Sequence, residues 1–169
     1  GAALVQTGDL ISASGRAEWW DELSEHVLGS LDIPLAATVG DGETGIFDEP
    51  DGDKEFDDIS SVRNAIFRGM YNLPKNGSRV GESNYSFDQG DVHVAVLNGR
   101  YDLRTQLEWL AQDMHATGAT WRVVAGHYSY YGGARTEDFG MAGDRAMVTE
   151  TLDQLGVDLY IGGHDHLYK

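Results

Sequence analysis

The sequence predicts an α/β fold, and three observations carry that prediction. Short apolar runs typical of strands alternate along the 169 residues with segments that carry apolar residues at helical spacing. A hairpin pattern between Asn84 and Leu97 adds an antiparallel pair of strands, so we expect a mixed sheet. The alternation runs through the chain without an internal repeat or a low-complexity tract.

The first half of the chain is predicted from its local patterns. Ala2 to Gln6 is an apolar run that predicts a strand, and Arg16 to Leu31 carries apolar residues at the spacing of an amphipathic helix. Pro34 to Val39 predicts a second strand. The acidic segment Ile46 to Asp58 is expected to be a loop, and Ile59 to Phe67 a short helix.

The second half repeats the alternation of strands and helices. Its predicted strands are Asn84 to Phe87, Val92 to Leu97, Trp121 to Ala125 and Val157 to Ile161. Helices are predicted at Leu103 to Met114 and at Phe139 to Leu155. Both chain ends, at Gly1 and Lys169, fall in or next to predicted elements. We therefore expect residues 1–169 to form one domain that is truncated at both ends. Further segments of the same protein are expected to complete this domain.

The composition narrows the classes of partner. Hydrophobic residues make up 41% of the chain, and 28 acidic against 12 basic residues give a formal net charge of −16. That charge argues against nucleic acid and against an anionic membrane surface, because both partners are themselves negatively charged. The chain has no cysteine, which excludes disulfides and thiolate metal ligands. No run approaches the roughly 20 apolar residues of a membrane span.

Four predicted strands end in residues that can bind metal ions, and a glycine precedes each of them. The four sites are Gly8-Asp9, Gly40-Asp41, Gly126-His127 and Gly163-His164-Asp165-His166. Because strand ends of an α/β sheet converge on one edge, we expect these carboxylates and imidazoles to meet. Alternate residues of an extended segment share a direction, so His164 and His166 are both expected to point into one crevice. This ligand set suits Zn, Mn or Fe rather than Ca.

Longer motifs surround these residues in a fixed order. They are Thr7-Gly8-Asp9-Leu10, Gly40-Asp41-Gly42-Glu43, Asn84-Tyr85-Ser86-Phe87-Asp88-Gln89-Gly90-Asp91-Val92-His93, Trp121-Arg122-Val123-Val124-Ala125-Gly126-His127 and Gly163-His164-Asp165-His166-Leu167-Tyr168. In content and order they resemble the calcineurin-like metallophosphoesterases, and within them the purple-acid-phosphatase-like branch. The resemblance covers nearly the whole chain. It implies mixed β-sheet layers flanked by helices, in a four-layer α/β/β/α sandwich.

The resemblance implies a phosphoric ester hydrolase, a phosphomonoesterase or phosphodiesterase, with a dinuclear metal site. Asp9 would bridge the two ions, Asp41, His127 and His164 would hold the second, and His166 would reach the first. Asp9 and His127 are thereby also the implied catalytic residues. The two ions, of Fe, Zn or Mn, would polarise the phosphoryl group and supply a hydroxide nucleophile. A small phosphate ester is the implied substrate, and an extracellular or cell-envelope location follows from the same resemblance.

Departures from the family pattern leave an alternative open. The family's opening Asp-x-His or Asp-x-Gly motif has no room before Asp9. Gly42 replaces a histidine that contacts the phosphate, and loss of such general acid help typically costs about 10²–10⁴-fold in rate. Asp41 stands in an asparagine position, and Tyr128 follows His127 where active members often place a second histidine. The alternative is a non-catalytic member whose fold serves as a binding or structural module.

The remaining histidines and the acidic segment have simpler interpretations. His93 lies inside an alternating strand and is expected to be a packed or solvent-facing sheet residue. His26 and His115 are expected on helix surfaces. Asp51 and Asp53 could bind Ca²⁺, but the segment lacks the spacing of an EF-hand, so a solvated loop is favoured.

Overall fold

A computed structural model describes residues 2–12, 17–44, 66–78, 83–99, 102–131 and 141–166 of the chain, with side chains from 144 onward in the last range. The predicted acidic loop and residues 59–65 of the predicted short helix lie outside these ranges. Within them, strands and helices alternate and form one parallel and one mixed sheet, so the predicted mixed α/β fold is confirmed.

The first sheet has two parallel strands. Strand β1 (Leu4–Gln6) pairs with β2 (Leu35–Ala37), with Leu4 opposite Leu35. Helix α1 (Ala17–His26) and a 3₁₀ turn (Leu28–Ser30) connect them, so the predicted helix from Arg16 to Leu31 ends earlier than expected. The site-bearing loops follow directly after the two strands.

A short helical turn, α2 (Asp41–Thr44), follows β2 and is entirely buried. The sequence did not predict it, because four residues containing a glycine carry no helical periodicity. Residues 66–70 are helical and are labelled α3. They continue three residues beyond Phe67, where the predicted short helix ends. Residues 71–78 have no regular secondary structure.

The second sheet has four strands in the order β3-β4-β5-β6. The hairpin strands β3 (Tyr85–Gln89) and β4 (Val92–Val96) pair antiparallel, as predicted. Strand β5 (Trp121–Ala125) pairs with β4 in parallel, and β6 (Leu159–Ile161) pairs with β5 in parallel. This mixture explains why the sequence showed a hairpin inside an otherwise α/β pattern.

Two helices follow strands of this second sheet, α4 (Leu103–Ala116) and α5 (Met141–Gln154). Asp102 is the N-cap of α4, and its carboxylate accepts the Thr105 N–H. The buried apolar residues of α4 are Leu103, Leu107, Leu110 and Met114, which lie at helical spacing. Among the described residues, no helix combines the length and the apolar character that crossing a bilayer requires.

Each face of the second sheet contributes to a different hydrophobic cluster. Ala95 and Val124 pack into a cluster with α4 and α5, whereas their neighbours Val96 and Ala125 pack into a cluster with α1 and β2. Successive residues of a strand point to opposite faces, so one pair of strands serves both clusters. The four-stranded sheet therefore lies between the helices α4 and α5 on one face and the first sheet on the other.

Candidate metal centre

Asp41, His127 and His164 form a buried cluster of possible metal ligands. One ligand atom from each lies within 4.8 Å of the others. His164 Nδ1 lies 3.1 Å from Asp41 Oδ2 and 3.3 Å from His127 Nε2. The exposed fractions of the three residues are 0%, 1% and 4%. The ends of β2, β5 and β6 thus bring together three of the five predicted ligands.

The imidazole of His127 is oriented by the backbone of the loop after β1. Its Nδ1 lies 2.7 Å from the carbonyl oxygen of Thr7. Because a carbonyl only accepts hydrogen bonds, Nδ1 carries the proton and the Nε2 lone pair faces the cluster. Burial lowers the pKa of His127, against the opposing charge of Asp9. Burial prevails over that charge and favours a neutral imidazole, which is the form that binds metal.

Asp9 lies beside this cluster and links two loops. Its Oδ1 accepts the backbone N–H of Gly42 at 2.8 Å, and its Oδ2 lies 3.4 Å from His127 Nε2. The side chain is 28% exposed, whereas that of Asp41 is 1% exposed. Asp9 has φ 60° after Gly8 with φ 91°, so the chain turns sharply where β1 ends. Asp9 therefore occupies the more exposed side of the site.

Glu43 holds the two loops that carry Asp9 and Asp41. Its Oε2 accepts the N–H groups of Asp9 and Gly40, each at 2.8 Å. Its Oε1 accepts those of Leu10 at 2.7 Å and Ile11 at 3.4 Å. Burial raises the pKa of Glu43, although the backbone hydrogen bonds oppose that shift. Glu43 belongs to the motif Gly40-Asp41-Gly42-Glu43, but nothing in the sequence indicates that its carboxylate holds these loops.

Gly42 is packed against the backbone of the loop after β1. A Cβ atom on Gly42 would lie 1.7 Å from the carbonyl oxygen of Ile11. A side chain at position 42 would therefore require this loop to move. The glycine at position 42 thus lies where the backbone of Ile11 leaves no room for a side chain.

Tyr128 is a further residue of the site, and its sequence context does not define its function. Its hydroxyl donates to Asp41 Oδ1 at 2.7 Å. Its ring meets the rings of His127 and His164 edge-on, with centroids 5.1 and 5.0 Å apart. The signal available in the sequence was its position directly after His127.

His164 and His166 do not share the environment that the sequence predicted. Their φ angles are 66° and 54°, so the segment after β6 turns and is not extended. The rule that alternate residues share a direction applies only to extended chain. His164 is buried and His166 is exposed. Among the described residues, the three-membered cluster forms without His166, whose metal role stays a prediction.

The donor set fits a metal ion. Two imidazole nitrogens and a carboxylate oxygen suit Zn, Mn or Fe, and the oxygen of Asp9 lies within reach of the same histidine. A neutral, backbone-held imidazole is also the usual state of a metal-binding histidine. The arrangement is therefore chemically able to hold a divalent or trivalent cation next to an open carboxylate.

Comparisons with known proteins agree with this architecture. The family model for the calcineurin-like phosphoesterases matches residues 2–168. The chain is similar to a purple acid phosphatase, PPD1, from seeds of yellow lupin (Lupinus luteus), with a TM-score of 0.73 and 18% identity. It is also similar to GAP50, the anchor in the inner membrane complex of Plasmodium, with a TM-score of 0.54 and 14% identity. No curated protein matches the chain.

Both structural matches extend over nearly all of this chain but only part of the other protein. They cover 96% of this chain and 30% of the lupin protein, and 97% of this chain and 56% of the Plasmodium protein. At these identities the likeness shows the fold, which is the purple acid phosphatase type of mixed sheets flanked by helices.

Proposed function

The chain belongs to the calcineurin-like phosphoesterase family, and on that premise we propose that it is a metal-dependent hydrolase of small phosphate mono- or diesters. The observation that carries the proposal is the buried cluster of Asp41, His127 and His164. Hydrolysis of phosphate esters in this family depends on metal ions, and the cluster offers the donor types that such ions prefer.

The proposed metal-binding residues comprise the five that the sequence predicted. Asp41, His127 and His164 would hold one ion, and Asp9 would bridge to a second ion that His166 reaches. Bound ions would supply a Lewis acid for the phosphoryl oxygen and would lower the pKa of water. The identity of the ions is proposed only to the extent of Fe, Zn or Mn, because nitrogen and carboxylate donors suit all three.

The chain itself contributes the orientation of these donors. The Thr7 carbonyl holds the His127 Nδ1–H, which leaves Nε2 directed into the cluster. The Gly42 N–H holds one oxygen of Asp9 and leaves the other beside His127. Because backbone groups provide both contacts, the donors are placed before an ion arrives, which lowers the ordering cost of binding.

Gly42 affects which esters the site would hydrolyse. Where the family has a histidine that assists the leaving group, this chain has a glycine packed on Ile11. General acid help contributes about 10²–10⁴-fold, and it matters least when the leaving group is acidic. We therefore expect aryl phosphate esters to react much faster than alkyl phosphate esters.

The test combines metal binding with turnover. Purified protein is loaded with Zn²⁺, Mn²⁺ or Fe³⁺ and assayed with p-nitrophenyl phosphate and bis(p-nitrophenyl) phosphate. We expect metal-dependent turnover that is lost in His127→Ala and retained in His115→Ala, since His115 is exposed on α4. Protein that binds no metal would contradict the proposal.

A second candidate function is a non-catalytic module, and the packing of Ile11 on Gly42 favours it. The same assay separates the two functions. Stoichiometric metal binding without hydrolysis of either ester would support the non-catalytic module. Metal-dependent turnover that His164→Ala abolishes would exclude it.

Location outside the cytoplasm is also proposed, on the family resemblance. Its test is fractionation of the cells that make the protein, followed by detection with an antibody. We expect the protein in the envelope or the medium, and detection in the cytoplasmic fraction alone would contradict that location.

A further inference from the structure

Two departures from the family pattern, far apart in sequence, touch each other in the structure. Asp41 stands in a family asparagine position, and Tyr128 stands where active members often place a second histidine. The Tyr128 hydroxyl donates to Asp41 Oδ1 at 2.7 Å across 87 residues of sequence. Both residues are buried, with exposed fractions of 0% for Asp41 and 3% for Tyr128.

We propose that Tyr128 is a positioning residue of the metal centre and that Tyr128 and Asp41 act as a coupled pair. The Tyr128 hydroxyl fixes the carboxylate of Asp41 so that one of its oxygens faces the two histidines. The inference deepens the proposed function, since it rests on a metal ion being held by Asp41, His127 and His164.

The two carboxylate oxygens of Asp41 have different partners. Oδ1 accepts the proton of the Tyr128 hydroxyl. Oδ2 lies 3.1 Å from His164 Nδ1 and 3.9 Å from His127 Nε2. Rotation of the carboxylate would break the hydrogen bond to Tyr128, so the hydroxyl keeps Oδ2 directed at the imidazoles. Partners of this kind orient metal ligands in proteins of known mechanism.

The ring of Tyr128 restrains the two histidines as well. Its plane makes angles of 68° with the ring of His127 and 71° with that of His164. Such edge-to-face contacts are favourable for aromatic rings at these centroid distances. One side chain therefore contacts all three members of the cluster, which makes Tyr128 its central support.

Tyr128 is itself held in place by its surroundings. The Tyr160 hydroxyl, on β6, donates to the backbone carbonyl of Tyr128 at 2.7 Å. Gly99 leaves room for the ring, because a Cβ there would lie 2.6 Å from Tyr128 Cδ2. The position of the hydroxyl over Asp41 is thus determined by β6 and by the chain after β4.

The charge of Asp41 explains why the two departures belong together. Aspartate in place of asparagine adds a buried negative charge, and burying a charge is costly unless it is hydrogen-bonded. A hydroxyl that donates to a carboxylate makes a charge-assisted hydrogen bond, which is about twice as strong as a neutral one. Tyr128 thereby offsets the burial of the charge that Asp41 introduces.

The experiment measures metal affinity in a double-mutant cycle. Zn²⁺ and, separately, Mn²⁺ are titrated by calorimetry into the wild-type protein, Tyr128→Phe, Asp41→Asn and the double variant. Removing a group that orients a metal ligand typically weakens affinity by about 10–100-fold, and we expect that loss for Tyr128→Phe. In the Asp41→Asn background the same change should cost less than about tenfold, because the hydrogen bond there is neutral.

Tyr85→Phe is the matched control. Tyr85 is buried, with 1% of its surface exposed, and its hydroxyl donates to the Ala37 carbonyl at 2.9 Å. The control loses a buried hydrogen bond from a tyrosine hydroxyl without contacting a ligand of the cluster. We expect both variants to lower the unfolding temperature of the metal-free protein, Tyr128→Phe by more because its hydrogen bond is charge-assisted, while only Tyr128→Phe weakens metal binding.

The outcomes distinguish this inference from the proposed function. Equal affinity of wild-type and Tyr128→Phe protein would overturn the positioning role, and equal losses in both backgrounds would overturn the coupling. Wild-type protein that binds no metal would overturn both proposals, whereas metal binding without ester hydrolysis would overturn only the hydrolase. If Tyr128→Phe does not fold, Tyr160→Phe replaces it, and unchanged metal affinity in Tyr160→Phe would then overturn the role.

Discussion

His93 lies on β4 and His127 follows the neighbouring strand β5, and two carboxylates lie near each of them. His93, on β4, is 5% exposed, and His127, after β5, is 1% exposed. Burial lowers the pKa of His93, but hydrogen bonds to Asp88 and Asp113 outweigh it and leave the pKa raised. Burial also lowers the pKa of His127, and there it prevails.

The distances explain this difference. Both nitrogens of His93 are hydrogen-bonded to carboxylates, Nδ1 to Asp88 and Nε2 to Asp113, each at 2.7 Å. His127 gives one nitrogen to the Thr7 carbonyl, and its other nitrogen lies 3.4 Å from Asp9. Two close carboxylates favour an imidazolium at His93. At His127 the carbonyl and the more distant carboxylate raise the pKa too little to outweigh burial, so the neutral imidazole is favoured. Carboxylates near a buried histidine therefore indicate a metal centre only when one nitrogen lone pair is left to the ion.

The largest effect is expected from removing the neutral imidazole. His127→Ala should weaken Zn²⁺ or Mn²⁺ binding by more than about 100-fold, which exceeds the usual loss from changing a residue that only orients a ligand. His93→Ala should leave the metal affinity within about twofold, because His93 contacts Asp88 and Asp113, which lie outside the cluster. Calorimetric titration measures the metal affinity of both variants. Similar losses of affinity would contradict the different roles of the two histidines.

Replacing Glu43 should weaken the hydrogen bonds that hold the loops of Asp9 and Asp41 together. Glu43→Gln replaces one carboxylate oxygen, which accepts backbone N–H groups, by an amide NH₂ group. Two hydrogen-bond donors, the amide and a backbone N–H, would then face each other. Hydrogen bonds to a charged acceptor contribute about 1.5–3 kcal/mol, and we expect a loss of that size in the free energy of unfolding. Urea denaturation measures the loss. A change below about 0.5 kcal/mol would contradict the role of Glu43 in holding the loops of Asp9 and Asp41.

The ion pairs of His93 make stability depend on pH. Because the pKa of His93 is raised in the folded state, its contribution is fully present below the unfolded value of about 6.5 and is lost as pH rises through the folded value. His93→Gln should therefore cost about 1 kcal/mol at pH 5.5 and less at pH 9, as measured by urea denaturation. A cost that grows with pH would contradict the imidazolium.

The two carboxylates that pair with His93, those of Asp88 and Asp113, are not equivalent. The side chain of Asp88 is 65% exposed and that of Asp113 is 18% exposed, so solvent screens the first pair more. Asp113 also accepts the Ser86 hydroxyl at 2.9 Å. Asp113→Asn should accordingly destabilise the protein more than Asp88→Asn at pH 5.5.

The smallest effect is expected at His166. This residue is exposed, and the three-membered cluster of the described residues forms without it. His166→Ala should change the free energy of unfolding by less than about 0.5 kcal/mol. In the metal titration it should lower the affinity of the first-filled site less than His127→Ala does. A loss equal to that of His127→Ala would place His166 among the ligands of that site.

The elements of the fold were predictable from local patterns, but several details of the site were not. Hydrophobic spacing predicted α4 because that helix has one buried face, and short apolar runs predicted β5 and the hairpin strands. Asp41, His127 and His164 were predicted as ligands because each follows a strand that ends at the same edge. The support from Glu43 and Tyr128 depends on contacts 34 and 87 residues apart, which local spacing does not encode.

Two features of the structure were not predictable from local sequence. The chain after β6 is not extended, because His164 and His166 both adopt positive φ, which the sequence gives no reason to expect outside glycine. The sequence placed His93 in a strand correctly but missed that Asp113 of α4 reaches it. That contact joins two elements, so it exists only once the helix packs on the sheet.

The most direct test of the account is the position of a bound ion. Crystals grown with Zn²⁺ or Mn²⁺ would give an anomalous difference peak at the metal. We predict a peak in contact with Asp41 Oδ2, His127 Nε2 and a ring nitrogen of His164. An ion bound only between His93 and the carboxylates around it, or no ion bound to the three ligands at saturating metal, would contradict the account.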